Sequence, residues 1–268
     1  MPTRRISRKL FFCALAFALL SPTSTAAQSA DLVYISNVIG TEAEGVSLST
    51  IEQQTAAALD NLGTALRAQG LTYTDVVVSN VFLRDASDFQ GMNGVYRTYF
   101  QTAPPTRATV QADLLDPDAL IQFSMVAARG SKEIIKPAGL RSPELPYSWG
   151  VKVGSTLFLS GATSRSPETY QPVPGDVPTQ TRRVFGNLGM VLEAGGMSFA
   201  DLVSCKVFLD DPTAFADMNG AYAEFVTATD PPARATVGSP LTNPVFSTEI
   251  QCVAQASSDR TVVRPEAR

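Results

Sequence analysis

The chain carries one segment twice, and this internal repeat constrains its fold more than any other feature. Residues 104–110 (Pro-Pro-Thr-Arg-Ala-Thr-Val) return 127 residues later as residues 231–237 (Pro-Pro-Ala-Arg-Ala-Thr-Val). Upstream, Met-Asn-Gly occurs at residues 92–94 and again at 218–220. A period of this length is too long for a solenoid and is typical of a duplicated small domain. Every candidate residue can therefore be compared with its counterpart in the other copy.

Residues 1–27 are predicted to be a secretory signal peptide. Four basic residues within the first nine positions precede an apolar run over residues 10–20, and small residues follow at positions 25–27. The apolar run is too short to span a bilayer. The sequence therefore predicts a periplasmic or secreted mature protein. Ordinary secretion is favoured over twin-arginine export because the rest of the twin-arginine motif fits poorly.

Charge and composition exclude several classes of function. Without the first 27 residues, 17 basic residues face 25 acidic ones, a net charge of −8. Such an acidic protein lacks the electrostatic footprint that nucleic acids require, and no membrane association is expected after signal cleavage. The chain has no histidine, which excludes Ser-His and Cys-His nucleophiles and histidine-based zinc sites. We expect no metal and no cofactor.

Two cysteines remain in the predicted mature chain. Cys205 and Cys252 lie on two predicted strands of the second copy. If those strands are neighbours, an oxidising compartment could join the two thiols. The interpretation as two buried thiols that pack as small hydrophobic groups is favoured.

Each copy is predicted to be a small α+β domain. We place the first copy at residues 28–130, a linker at 131–144, the second copy at 145–256 and a flexible tail at 257–268. Each copy begins with a strand, continues through a helix, a strand and a second helix, and ends in a β-hairpin. Apolar residues at helical spacing place the helices on one face of the sheet. The sheet's other face needs a cover, from the sister copy or from an oligomer.

The closing hairpin of the second copy contains the strongest candidates for chemistry. Arg234 and Glu249 are fifteen residues apart. A hairpin centred between Leu241 and Thr242 would place them opposite each other on one face of the sheet. The guanidinium could bind a carboxylate through two parallel hydrogen bonds, and Glu249 could hold or deprotonate a water. Spacing alone slightly favours the alternative, a structural ion pair that contributes roughly 0–1 kcal/mol.

Several motifs resemble those of one protein family. Residues 231–237 with 247–254 (Ser-Thr-Glu-Ile-Gln-Cys-Val-Ala) resemble the C-terminal signature of the Rid proteins, the reactive intermediate deaminases, also called YjgF or endoribonuclease L-PSP proteins. Pro-Tyr-Ser at 146–148 and Leu-Ser-Gly at 159–161 resemble the family's N-terminal strand motifs. The resemblance covers nearly all of both copies. It implies two tandem Rid-like domains of the chorismate mutase-like α+β type, each a mixed sheet with two helices on one face.

The resemblance also implies an activity and a set of residues. Rid proteins hydrolyse small imines and enamines, such as 2-aminoacrylate and 2-iminopropionate, to 2-keto acids and ammonia. They need no cofactor and are typically trimers with clefts between subunits, so self-association in a trimer-like ring is expected. By this resemblance Arg234 binds the substrate carboxylate, and Glu249 positions the attacking water or shuttles protons. The other substrate-binding candidates are Tyr147, Ser160, the backbone of Gly161, Asn219 as support, and Arg107 in the first copy.

The first copy departs from this pattern. Arg107 is present, but the residue fifteen positions further on is Gln122, which cannot exchange a proton. Asn37 stands where the second copy has Gly161, and the leading Pro-Tyr-Ser strand is missing. We therefore expect the first copy to be a degenerate half that completes the assembly and retains at most carboxylate binding. The open alternative is a cleft that draws its residues from both copies.

Three functions stay open at this point. A secreted imine deaminase is favoured by Glu249. A non-catalytic carboxylate-binding or assembly protein on the same fold is favoured by Gln122 and by the predicted compartment, because most imine-generating enzymes are cytoplasmic. The third is another hydrolytic or redox reaction of the kind that divergent Rid relatives perform.

Overall fold

The structure is a computed structural model that describes residues 31–43, 45–227 and 229–256. The predicted signal peptide (1–27) and tail (257–268) lie outside the described residues. The first repeat contains, in order, β1 (Asp31–Val38), β2 (Glu42–Ala43), β3 (Val46–Ser47), α1 (Ile51–Ala68), β4 (Val76–Leu83), α2 (Phe89–Tyr99), β5 (Thr106–Gln111) and β6 (Ile121–Arg129). The second contains β7 (Lys132–Ile135), β8 (Gly150–Val153), β9 (Thr156–Leu159), α3 (Val177–Ala194), β10 (Leu202–Leu209), α4 (Phe215–Tyr222), β11 (Ala233–Gly238) and β12 (Thr248–Gln255).

The long helix of each repeat begins at a side-chain cap. Thr50 and Gln53 form a capping box at the start of α1, and the carboxylate of Asp176 accepts a hydrogen bond of 2.8 Å from the backbone N–H of Thr179 at the start of α3. The apolar positions predicted from helical spacing, such as Leu62 in α1, are buried against the sheet. In the described part of the chain no helix is both long enough and apolar enough to cross a membrane.

Each repeat forms one mixed sheet with its two helices on one face, as predicted, and the first repeat adds a separate two-stranded sheet, β2-β3. The strand order is β1-β6-β4-β5 in the first sheet and β11-β10-β12-β9-β8-β7 in the second. The pairs β4–β5 and β10–β11 are parallel, and the remaining pairs of these two sheets are antiparallel. The predicted α+β class, with two tandem domains, is confirmed.

The predicted closing hairpin is wrong, because β11 and β12 do not pair. Helix α4 makes a parallel crossover from β10 to β11, which places β11 at the sheet edge, and β12 returns on the other side of β10. Arg234 is in register with Cys205, and Glu249 is in register with Phe208, three residues further along β10. Because side chains alternate along a strand, Arg234 and Glu249 project from opposite faces of the sheet.

The sister repeat covers part of the sheet face that the helices leave open, one of the two covers expected from the sequence. An apolar cluster joins the two repeats, formed by Val77, Val78, Val126 and Ala128 with Val151, Val153 and Phe158. Backbone hydrogen bonds extend the contact along β5: the N–H of Ser148 donates to the carbonyl of Pro105 at 3.0 Å, and the N–H of Gln111 donates to that of Pro240 at 3.1 Å. Strand β5 is therefore buried between the repeats.

Part of the predicted linker is structured. Lys132–Ile135 forms β7 and pairs with β8 at the edge of the second sheet. The ammonium of Lys132 donates hydrogen bonds to the carbonyls of Val76 at 2.6 Å and Ala103 at 2.8 Å in the first repeat. Burial lowers the pKa of Lys132 to about 8. The connection between the repeats is thus tied to both of them.

The two cysteines form a disulfide. Cys205 on β10 and Cys252 on β12 are directly opposite in an antiparallel pair, and their sulfur atoms are bonded. The favoured interpretation as two free buried thiols is wrong, because neighbouring strands bring the two side chains together on the helix side of the sheet.

Candidate active site between the repeats

A cavity of about 40 Å³ lies where β5 of the first repeat meets the second repeat. Four of the predicted site residues line it: Arg107, Tyr147, Gly161 and Glu249. Residues not predicted from the sequence complete the lining, namely Phe89, Thr109, Leu145, Thr163, Arg165, Tyr170, Thr242 and Phe246. The cavity therefore combines an arginine of one repeat with the glutamate of the other.

Both backbone groups of Arg107 form hydrogen bonds with the second repeat. Its N–H donates a hydrogen bond of 2.8 Å to the hydroxyl of Ser160, and its carbonyl accepts one of 3.0 Å from the N–H of Gly161. The guanidinium carbon lies 5.0 Å from the ring centre of Tyr96 and 5.6 Å from that of Tyr147. These rings contribute cation–π attraction and leave the guanidinium hydrogen-bond donors for a ligand.

One guanidinium nitrogen of Arg107 has no hydrogen-bond partner within the described residues. The residue is only 4% exposed, and its Nη1 atom is fully buried. Burial lowers the pKa of Arg107; arginine nonetheless starts from so high a pKa that the group stays charged at neutral pH. A buried charge without a partner is costly. The position is therefore suited to an anionic ligand group.

Glu249 is the carboxyl group of the cavity. It is 5% exposed, and burial raises its pKa to about 8, against the opposing effects of the Thr109 backbone and of Arg107 and Arg165. The side chain is therefore mostly protonated at neutral pH in the free protein. A group with a pKa near the working pH is suited to proton transfer in both directions.

Gly161 gives Glu249 its space. A Cβ at position 161 would overlap Oε1 of Glu249. Glycine is therefore required for a steric reason, because its backbone approaches the carboxyl group directly. In the first repeat the matching residue is Asn37, with φ at 53°, and no acid stands at the matching position, Gln122.

Ser160 supports the site and does not line the cavity. Its hydroxyl accepts from Arg107 and donates a hydrogen bond of 2.6 Å to the carbonyl of Ser148. Both the donor and the acceptor capacity of this buried hydroxyl are thus used within the protein. The residue predicted to bind substrate lies instead at the junction that positions Arg107.

A tyrosine pair and a second arginine form another wall of the cavity. The hydroxyls of Tyr147 and Tyr170 hydrogen-bond to each other at 2.7 Å. Burial raises the pKa of Tyr147, and Tyr170 raises it further. Arg165 stacks on Tyr170 and Phe246, with its guanidinium carbon 4.4 Å and 4.7 Å from the two ring centres.

The sequence does not identify Arg165, Tyr170 and Phe246 as site residues. The available signal is the loop between β9 and α3, which is longer than the matching loop of the first repeat and indicates only a determinant of substrate preference.

The predicted pairing of Arg234 with Glu249 is not formed. Arg234 is exposed, and its guanidinium carbon lies 4.5 Å from the ring centre of Tyr222 and 5.8 Å from that of Phe215. This stacking repeats that of Arg107 on Tyr96 and Phe89, but nothing in the described part of the chain covers β11 as the second repeat covers β5. Asn219 is half-buried on α4, and neither residue lines the cavity. In space, Arg107 takes the place beside Glu249 that was predicted for Arg234.

Comparisons with known proteins agree with the repeat structure. A family model described as endoribonuclease L-PSP matches residues 14–129 and again 140–256. A RutC family protein of Sulfurisphaera tokodaii is 42% identical over 102 residues, 38% of this chain and 76% of that protein. The 2-iminobutanoate/2-iminopropanoate deaminase of Mus musculus is 33% identical over 127 residues, 47% of this chain and 94% of that protein.

Among solved structures, a chorismatase has a similar fold across both repeats. Its TM-score is 0.65 at 15% identity, with 83% of this chain and 74% of that chain covered. At this identity the likeness concerns the fold alone.

Proposed function

This chain belongs to the endoribonuclease L-PSP family, the Rid proteins, and we propose that it hydrolyses small 2-imino acids of the 2-aminoacrylate and 2-iminopropionate type to 2-keto acids and ammonia. One observation carries the proposal. Arg107, whose Nη1 is buried without a hydrogen-bond partner, lines the same small cavity as Glu249, whose pKa is about 8. An anion site beside a proton-transfer group is what hydrolysis of an imino acid requires.

Arg107 binds the substrate carboxylate in this proposal. A guanidinium matches a carboxylate through two parallel hydrogen bonds, and burial strengthens these bonds because little water competes. The ligand also neutralises the buried charge. Tyr147 and the backbone at Gly161 bound the cavity on the side of the second repeat, which restricts the substrate to one orientation.

Glu249 transfers the protons. Its carboxyl proton passes to the imine nitrogen, which makes the imine carbon electrophilic and leaves a carboxylate. As the oxygen of a water bonds to that carbon, the carboxylate takes a proton from the water, and a carbinolamine forms. Glu249 then protonates the amino group, the C–N bond breaks, and the hydroxyl proton returns to Glu249 as the C=O bond forms. The products are a 2-keto acid and ammonia, and Glu249 ends in its starting state. Acid–base catalysis of this kind contributes about 10²–10⁴-fold.

We place the mature protein in the periplasm or outside the cell. The signal-like features of residues 1–27 support this location, and so does the Cys205–Cys252 disulfide, because disulfides persist in oxidising compartments.

Self-association is part of the proposal. Strand β5 is buried by the second repeat, whereas its counterpart β11 is an exposed edge strand with Val237 48% exposed. Exposed edge strands are templates for pairing with another chain. This difference between the repeats supports the expected ring-like assembly of tandem domains.

The alternative function is carboxylate binding without turnover. The protonated state of Glu249 at neutral pH favours it, because a neutral carboxyl group also suits a site that only binds a ligand. In that case Arg107 binds a small carboxylate, and no ammonia is released.

A trapping assay separates the two functions. 2-Iminopropionate is generated from alanine by an amino-acid oxidase, and the imine that remains is trapped with semicarbazide. A deaminase lowers the yield of semicarbazone and accelerates ammonia release. Unchanged trapping over a range of protein concentrations contradicts the deaminase, and pyruvate binding under the same conditions then favours the alternative.

A further inference from the structure

The cavity contains a second guanidinium for which the proposed hydrolysis of a monocarboxylate has no use. Arg165 lines the cavity together with Arg107 and Glu249. It is half-buried, and it forms no salt bridge within the described residues. The nearby acidic side chain of Glu168 accepts a hydrogen bond from Ser166 instead.

Arg165 is held in place by contacts that leave most of its donors unused. Its guanidinium lies between the rings of Tyr170 and Phe246, and Nη1 donates a hydrogen bond of 3.0 Å to the carbonyl of Tyr170. Stacking fixes the plane of the guanidinium without using its N–H groups, and arginine has five of them. A fixed guanidinium with free donors is prepared to bind a planar anion.

The loop that holds Arg165 has an unfavourable backbone conformation. Tyr170 is a non-glycine residue with φ at 65°, in the left-handed region that is costly for a side chain of this kind. Its ring supports Arg165, its carbonyl accepts the Arg165 hydrogen bond, and its hydroxyl contacts Tyr147. Strain of this type persists where the surrounding contacts hold it, and it clusters at ligand sites.

The charges of the cavity are unbalanced. Among its lining residues two are arginines and one is an acid, Glu249, and burial keeps that acid largely protonated at neutral pH. One substrate carboxylate on Arg107 neutralises only half of the positive charge. A ligand with two carboxylates neutralises both guanidiniums.

We propose that Arg165 binds a second carboxylate of the substrate, so that the site prefers 2-imino dicarboxylates to imino acids with one carboxylate. Arg107 holds the carboxylate next to the imine carbon, and Arg165 holds the distal one. The inference rests on the proposed function, because it assigns the substrate class of that same site. It makes Arg165 a residue that determines specificity and takes no part in proton transfer.

Equilibrium binding of keto acids tests this assignment without turnover. Calorimetry compares 2-oxobutyrate, which has one carboxylate, with oxaloacetate and 2-oxoglutarate, which have two. We expect the wild type to bind at least one of the dicarboxylates about 10–100-fold more tightly, the effect of one charge-assisted contact. In Arg165→Met this preference disappears, because the dicarboxylates lose more affinity than 2-oxobutyrate does. Arg165→Lys retains part of the preference, and Arg107→Met weakens the binding of all three ligands.

The opposite results overturn the inference. The inference is contradicted if the wild type binds neither dicarboxylate more tightly than 2-oxobutyrate. It is also contradicted if Arg165→Met weakens the binding of all three ligands equally, since Arg165 would then only support the loop. Binding of 2-oxobutyrate shows that the variant is folded. A protein that prefers dicarboxylates but hydrolyses no imine contradicts only the proposed function. A deaminase with no such preference contradicts only the role of Arg165.

Discussion

The backbone N–H of Arg107 in the first repeat donates a 2.8 Å hydrogen bond to the hydroxyl of Ser160 in the second. This contact joins two half-sites. The first repeat has the covered arginine but Gln122 in place of an acid, and the second has Glu249 but an arginine, Arg234, that is left exposed. Once two copies are fused, each can lose the residue that the other supplies. The changes that looked like degeneration in the first repeat are therefore compatible with one complete site per chain.

The two matched arginines should differ sharply in their effect on activity. Arg107→Met removes the proposed carboxylate-binding group, and we expect kcat/KM for 2-iminopropionate to fall about 10–100-fold, mainly through KM. Arg234→Met changes an exposed residue outside the cavity and should leave kcat/KM within twofold. Steady-state kinetics in the trapping assay measure both effects.

We expect the difference in activity between these two variants not to come from a loss of folding stability. Removal of a buried charge without a partner does not leave another charge unpaired, so Arg107→Met should retain the melting temperature or raise it. If Arg234→Met lost activity while Arg107→Met kept it, the working site would lie on the exposed edge of the second repeat, and the cavity between the repeats would not be the active site.

Ser160 should act through Arg107. Ser160→Ala leaves the Arg107 N–H without its acceptor and the Ser148 carbonyl without its donor, and an unsatisfied buried group costs about 1–3 kcal/mol. We expect a lower free energy of unfolding by denaturant, together with a higher KM as Arg107 loses its position. The matched control is Ser36→Ala in the first repeat, where the serine is exposed and little change is expected. Equal effects of the two substitutions would contradict a specific role for Ser160.

The sequence determined local structure better than the partners of each strand. Helical spacing identified the buried face of α1 through residues such as Leu62, because that pattern depends only on neighbours three and four positions away. The Arg234–Glu249 pairing failed for a non-local reason. Whether β11 and β12 are adjacent depends on the crossover through α4, which spacing does not reveal.

The sequence also did not predict that residues of the two repeats share one cavity, although the motifs contained those residues. Arg107 and Glu249 are 142 positions apart, and the repeat alone favoured combining residues within one copy. The loops of different length and the replacements at Asn37 and Gln122 were the sequence signals that the site residues are divided between the two copies. They do not specify which strand of the sister copy covers β5, because that depends on packing of the two sheets through Val77, Phe158 and their neighbours.

The disulfide should stabilise the second repeat. Cys205 and Cys252 are 47 residues apart, and for a loop of this length the chain-entropy model gives about 4 kcal/mol of stabilisation. We expect Cys205→Ala/Cys252→Ala to lower the unfolding midpoint in denaturant by a corresponding amount. Addition of a thiol reductant should lower the wild-type midpoint and leave that of the double variant unchanged. If reductant leaves the wild-type unfolding midpoint unchanged even after full unfolding and refolding, the protein does not contain this disulfide.

Glu249 should make the stability of the free protein depend on pH. Burial raises its pKa in the folded state from 4.5 to about 8, so its contribution to stability is fully present below about pH 4.5 and is lost as the pH rises through about 8. In this range the free energy of unfolding should fall by up to about 1.4 kcal/mol per pH unit relative to Glu249→Gln, which cannot ionise. Glu224→Gln is the matched control, because the exposed Glu224 pairs with Arg182 and its pKa is lowered, so it adds no decline above pH 4.5. Denaturant titrations from pH 5 to 9 measure the difference. Parallel curves for the wild type and Glu249→Gln would mean that Glu249 ionises at its ordinary pKa and cannot supply the proton that the proposed reaction needs at neutral pH.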